Sequence, residues 1–186
     1  MISFVRLFFC LELGEEVRQV LAEVARQCRG SLGDGSWVPP ENYHLTVRFL
    51  GEVQEERVPE LLELGKNAAG EAQPFGVKLE ILGGFPQPKA ARVLWVGPKA
   101  EPPEFRELCR RVEEGLRSLG FPPEKKEPVA HVTLARFKNP KDLRVLLARP
   151  LPPIPEAKIE GLTLMRSELR PEGAKYTPLA TWKFGG

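Results

Sequence analysis

Two histidines occur in the 186-residue sequence, and both stand in the same local pattern: His44-Leu45-Thr46-Val47 and His131-Val132-Thr133-Leu134. The chain has only five threonines. A threonine two places after both histidines by coincidence is on the order of a one-in-a-thousand event, well clear of a motif's usual background. In an extended strand, side chains at i and i+2 share a face. His44 and Thr46 are therefore expected to project together, as are His131 and Thr133, while Leu45, Val47, Val132 and Leu134 turn toward a core. Imidazole titrates near neutral pH and can give or take a proton. A hydroxyl can donate to a phosphoryl oxygen. Two copies supply a base, an acid and two donors to anionic oxygens. That set suits displacement at phosphorus, in which one histidine deprotonates the nucleophile while the other protonates the leaving oxygen. An isolated strand histidine is more commonly structural, and threonine is a good strand former; the repetition of the pair outweighs both. Zinc ligation by two distant histidines lacks an evident third ligand, and the His-x-Thr spacing does not converge two ligands. No metal and no cofactor are expected.

The elements that must carry these residues follow from periodicity. Residues 2 to 12 read as a buried strand. Residues 15 to 28 switch to helical spacing, with Val17, Val20, Leu21, Val24 and Cys28 on one face. After the GSLGDGS loop and Trp37-Val-Pro-Pro comes a strand from His44 to Leu50, stopped by Gly51. A second amphipathic helix covers 54 to 69, with Val58, Leu61, Leu62 and Ala69 inward, and two strands follow at 75 to 83 and 90 to 97. The second half starts again with the strand at 91 to 97, which leads to a helix at 103 to 119, a strand at 129 to 136 and a short helix at 140 to 148. Pro150 to Pro155 forms an extended connector, and strands at 156 to 168 and 174 to 184 close the chain. Both halves thus read strand–helix–strand–helix with His-x-Thr on the third element, an internal duplication in pattern. No flexible run separates them, so residues 1–186 are expected to form one bilobal domain.

Composition sets limits. No apolar run approaches a membrane span, and the N-terminus lacks the basic region and cleavage site of a signal peptide. Three widely spaced cysteines, Cys10, Cys28 and Cys109, fit neither a disulfide framework nor a zinc site, so a cytoplasmic location is expected. A net charge of +2 excludes a polycation that coats nucleic acid; any RNA would bind at a local basic site. Nothing suggests an obligate oligomer, so a monomer is expected.

The segments RLFFCLEL (6–13), WVPPENYHLTVRFLGEV (37–53), RVLWVG (92–97) and HVTLARF (131–137) resemble the bacterial and archaeal RNA 2′,3′-cyclic phosphodiesterases. These are also called 2′-5′ RNA ligases, within the two-histidine (2H) phosphoesterase superfamily. The resemblance spans essentially the whole chain. It implies an α+β bilobal fold, two antiparallel β-sheets lining a central groove with helices outside and both motifs at the groove floor. It implies opening of an RNA 2′,3′-cyclic phosphate to a 2′-phosphate, with 2′-5′ ligation as a minor activity. His131 resembles the base that activates water, His44 the acid that protonates the leaving 3′-oxygen, and Thr46 and Thr133 the holders of non-bridging oxygens.

Arg136 matches an arginine five residues after the second motif histidine. Strict alternation puts it opposite His131, but at a strand end it could swing to the phosphate, where its planar fork suits two oxygens. Arg48 shares the face of His44 by period 2, with surface or salt-bridge duty favoured. Among aromatics that could stack a base, Phe9, Trp37, Tyr43, Phe49 and Trp95, Phe9 is the choice for a groove position; Phe49 and Trp95 are expected in the core. Lys125-Lys126 could form a basic lip. Two other readings stay open on the sequence alone: a related enzyme for another small cyclic phosphate, and an RNA-binding module with little turnover.

Overall fold

The structure, a computed structural model, describes residues 1–186. The elements run β1 (Phe4–Glu12), α1 (Glu15–Leu32), β2 (Ser36–Trp37), β3 (His44–Gln54), α2 (Val58–Glu71), β4 (Phe75–Val77), β5 (Ile81–Phe85), β6 (Ala91–Gly97), α3 (Pro103–Ser118), β7 (Val132–Lys141), α4 (Arg144–Leu147), β8 (Ala157–Ile159), β9 (Gly161–Arg170) and β10 (Gly173–Lys183). Each long helix has one apolar stripe. Val17, Leu21, Val24, Ala25 and Cys28 are buried on α1, and Phe105, Leu108, Cys109, Val112 and Leu116 on α3. On α2 the buried stripe is Leu61, Leu64, Ala68 and Ala69, with Val58 and Leu62 only half-buried, so the inward face is rotated about the helix axis from the expected one.

Two four-stranded sheets, both built of antiparallel pairs, have the orders β10-β9-β1-β3 and β2-β7-β6-β5. The α+β class with antiparallel sheets is as expected. The duplicated unit is a strand pair: β1 with β3, and β6 with β7. The halves trade flanking strands. β9, from the second half, completes the sheet of β1, while β5 precedes β6 and completes the other sheet. β4 and β8, which lead into β5 and β9, pair with each other. One core of 42 buried residues draws on both sheets and on α1, α2 and α3. No helix is long and apolar enough to cross a membrane.

The main departures from the expected strands lie in β3 and β7. β3 does not stop at Gly51 but runs on to Gln54. Gly51 takes a left-handed φ of 71° at a ladder irregularity, a conformation that favours glycine. In β3, Thr46 pairs with Cys10 but Arg48 pairs with Phe9, so Val47 is an extra, bulged residue. In β7, Thr133 pairs with Trp95 but Ala135 pairs with Leu94, so Leu134 is the extra residue. A bulge places two residues against one and so reverses the facing of everything beyond it. Both bulges fall directly behind the motif threonine.

Trp95 illustrates how the second sheet is packed. Its ring leans across the paired strand over Gly83, where an added Cβ would lie 2.0 Å from Cζ2. The expected core tryptophan is only half-buried, because Trp95 shares the face of Thr133. Gly83→Ala must push the indole aside, and overpacking of this kind costs about 1–3 kcal/mol. The midpoint of urea unfolding is expected to fall with an unchanged slope; an unchanged midpoint would show that Trp95 yields freely.

Candidate active site

Each motif histidine is fixed by its own strand entry. His44 Nδ1 lies 2.7 Å from the carbonyl oxygen of Asn42, and His131 Nδ1 lies 2.7 Å from that of Val129. Both are contacts to the residue two places earlier. A carbonyl can only accept, so Nδ1 carries the proton in both rings, and Nε2 of the neutral imidazole keeps its lone pair. At His44 that lone pair takes the hydroxyl of Thr46, with Nε2 and Oγ1 2.9 Å apart. Asn42 is itself buried and anchored, its Nδ2 donating to the Ala174 carbonyl in β10 at 2.9 Å.

Aromatic rings pack against both imidazoles. Phe8 lies 4.9 Å and Tyr176 5.6 Å from His44, centroid to centroid; Phe85 lies 5.2 Å and Trp95 6.1 Å from His131. These rings strip water from the imidazoles, and burial disfavours the charged form. Burial pushes His44 down to about 4, against the opposing bond to Asn42 and with help from the charges of His131, Arg136 and Arg18. Burial also lowers His131, again opposed by its carbonyl bond and aided by Arg136.

His44, Thr46, His131, Thr133 and Arg136 line one cavity of about 670 Å³. The bulge at Leu134 accounts for Arg136. Strict alternation puts it opposite Thr133, but Leu134 and Ala135 both turn inward and Arg136 returns to the cavity side. It is not at the strand's end, since β7 continues to Lys141. The bulge at Val47 acts likewise on β3, so Phe49, expected in the core, is 44% exposed and lines the cavity. Phe49 and Arg136 thus occupy corresponding positions, each five residues after its histidine.

Phe9 is not in the groove. It is fully buried in the core with Leu7 and Leu11, and its neighbour Phe8 lines the cavity in its place. Arg6, Phe8, Cys10 and Glu12 share one face of β1, and the polar ends of that series mark it as the wet face; this signal was available in the sequence. Trp37 donates to the Gly33 carbonyl and packs on Phe137, and Tyr43 is in the core. Lys125 and Lys126 are exposed on a loop outside the cavity. Sequence reasoning also missed Tyr176 and Ser167, which enter the cavity from β10 and β9 because β9 pairs with β1 over a long sequence separation that no local pattern announces.

A family model described as LigT-like phosphoesterase matches the chain twice, over residues 11–95 and 96–176, one motif in each match. An RNA 2′,3′-cyclic phosphodiesterase of Thermus thermophilus is 38% identical, over 97% of this chain and 91% of its own length. One of Archaeoglobus fulgidus is 32% identical, over 96% and 99%. Among solved structures, a Thermus thermophilus protein superposes with a TM-score of 0.81 at 36% identity, covering 97% of this chain and 98% of that one. Escherichia coli LigT complexed with 3′-AMP gives 0.78 at 25% identity, covering 98% and 99%.

The site electrostatics can be checked directly, because two histidines give two sets of imidazole resonances. Both are expected to titrate below 6.5, His44 the lower at about 4. The unfolded chain then binds more protons than the folded one through that window, so stability falls as pH drops from 6.5 toward 4. Inorganic phosphate, an anion, is expected to raise both values; ordinary values in the free protein would contradict this account of burial.

Proposed function

The chain belongs to the LigT-like phosphoesterase family, and from that premise we propose that it hydrolyses RNA 2′,3′-cyclic phosphate ends to 2′-phosphates by two-histidine acid–base catalysis without a metal. The observation that carries this reading is the pair of imidazoles, each with Nδ1–H tied to the carbonyl two residues back, lining one cavity with Arg136. Water attacks phosphorus as His131 Nε2 takes its proton. The bond to O3′ breaks, and the Nε2–H of protonated His44 delivers a proton to it. The products are a 2′-phosphomonoester and a free 3′-hydroxyl.

The division of labour rests on what each Nε2 is doing. That of His131 has no protein partner within hydrogen-bonding distance, so its lone pair is open to water; that of His44 is engaged by Thr46. His44 must gain a proton to act as the acid, and the anionic phosphodiester supplies the charge that favours it. Thr46 and Thr133 then donate to the non-bridging oxygens, and Arg136 presents its fork to the same group. The terminal base lies against Phe49 and Tyr176, whose faces suit stacking, with Phe8 buried behind them. With a 5′-hydroxyl in place of water, the same displacement gives 2′-5′ ligation as a minor activity, O3′ leaving as the hydroxyl. Both histidines come from one chain, so we infer a working monomer. A core running through both halves supports residues 1–186 as a single bilobal domain.

An RNA oligonucleotide ending in a 2′,3′-cyclic phosphate is expected to yield a 2′-phosphate, with the rate unchanged by excess chelator. A 3′-phosphate product, or loss with EDTA and recovery with zinc, would contradict the mechanism. The pH dependence of kcat/KM is expected to be bell-shaped with both limbs on the acid side of 6.5, as both free-enzyme imidazoles are lowered. The profile for kcat, with the anion bound, should extend to higher pH; a kcat/KM flat from about pH 5 to about pH 9 speaks against the pair.

A further inference from the structure

Arg48 faces away from the cavity. The bulge at Val47 turns it to the inner face of β3, opposite Phe9, and its side chain is only 10% exposed. Its three nitrogens reach three separate parts of the chain. Nη1 donates to the Phe49 carbonyl at 2.9 Å. Nε and Nη2 fork onto the Glu113 carboxylate of α3 at 2.8 and 3.4 Å. Nη2 also donates to the Pro122 carbonyl at 2.6 Å, and Glu113 Oε1 accepts the Glu124 amide at 2.9 Å.

Those contacts fall on the connection that delivers His131. Residues 121 to 131 contain neither helix nor strand, so no backbone ladder fixes their path. Side chains hold them instead. Besides Arg48, Arg57 donates to the Leu119 carbonyl at 2.6 Å with its guanidinium 4.0 Å from the Phe121 ring centroid. Glu101 accepts the Ala130 amide at 2.7 Å, next to His131. Of these ties, Arg48 is the one that starts on a motif strand, two residues after Thr46.

We propose that Arg48, acting through Glu113, is a positioning residue that sets the placement of His131 relative to His44. The proposal rests on the reading above in one respect, that both imidazoles must address one phosphorus. Exposed ion pairs contribute little, but this pair is mostly buried and hydrogen-bonded at each nitrogen. Burial alone would raise Glu113, yet the Arg48 bond, the Glu124 amide and the charges of Arg48 and Arg117 hold it below its ordinary value, so it remains a carboxylate. Removing Arg48 leaves the Glu113 carboxylate without its counter-ion and cuts the Pro122 tie. Removing the Glu113 charge leaves Arg48 its two carbonyls and Glu124 at 4.0 Å, so the loop before His131 keeps only a weakened tie to β3. Displacements near an ångström are enough to slow a reaction that depends on aligned groups.

The test uses Arg48→Met, Glu113→Gln, the double variant and Arg48→Lys in the full chain. Both single variants are expected to lose about tenfold or more in kcat on the cyclic-phosphate RNA, with inhibition by inorganic phosphate within about twofold of wild type. The double variant should be no slower than the slower single one, and Arg48→Lys should recover only part of the rate, because an ammonium cannot fork. Unchanged kcat in both single variants, or phosphate binding that weakens in step with kcat, overturns the proposal; the second result makes Arg48 a substrate contact. Glu113→Gln leaves Arg48 its two carbonyl partners and serves if Arg48→Met fails to fold. The imidazole titrations separate this inference from the functional reading. A wild-type chain that does not open the RNA sinks that reading alone, whereas His44 and His131 curves that are identical in wild type and Glu113→Gln sink the positioning role.

Discussion

One extra residue behind each motif threonine governs what β3 and β7 present to the groove. Without Val47 and Leu134 as bulges, strict alternation would send Phe49 and Arg136 into the core and Arg48 toward the cavity. With them, the wet face of each strand carries histidine, threonine and then a residue five places after the histidine, while the inner face carries two consecutive residues. The duplication is therefore one of backbone irregularity as well as of side chains, and each of the two matches to one family model holds one of the motifs. The same irregularity makes the groove unequal. One copy offers the aromatic Phe49, backed by Phe8 and by the Arg6 guanidinium 4.8 Å from its ring; the other offers the guanidinium of Arg136.

The second constraint is the tautomer. A backbone carbonyl two residues before each histidine leaves it no choice about which nitrogen faces the cavity. Aromatic packing then keeps the free site neutral by making the imidazolium costly. These two effects fit together only with an anion in mind. A site that disfavours its own positive charge until a phosphodiester arrives couples proton uptake to substrate binding, and does so with residues buried well enough to hold their geometry.

Much of this was readable beforehand. The duplicated His-x-Thr pairs and the helical stripes of α1 and α3 follow from periodicity, because each is a local pattern, whereas the two antiparallel sheets were expected only from the family resemblance. What escaped was non-local. A bulge leaves no mark in a run such as HLTVRFLG, since Val47 and Arg48 each satisfy the strand pattern individually, and only pairing with β1 decides which one is extra. Phe8, not Phe9, emerges as the groove residue once Arg6 and Glu12 are followed along the same face. Tyr176 and Ser167 reach the cavity because β9 pairs with β1 across most of the chain's length, a closure that local periodicity does not encode.

The central claim is that His44 and His131 act as one unit on one phosphodiester, and its most direct measurement is a double-mutant cycle on RNA 2′,3′-cyclic phosphate opening. His44→Ala, His131→Ala and the combined variant would be compared in single-turnover rate, with folding verified for each. A cooperating pair predicts that each single variant falls by several orders of magnitude and that the double variant is scarcely slower than either, because losing one partner already forfeits the concerted proton transfer. A single variant near the wild-type rate, or losses that simply multiply in the double variant, would contradict it.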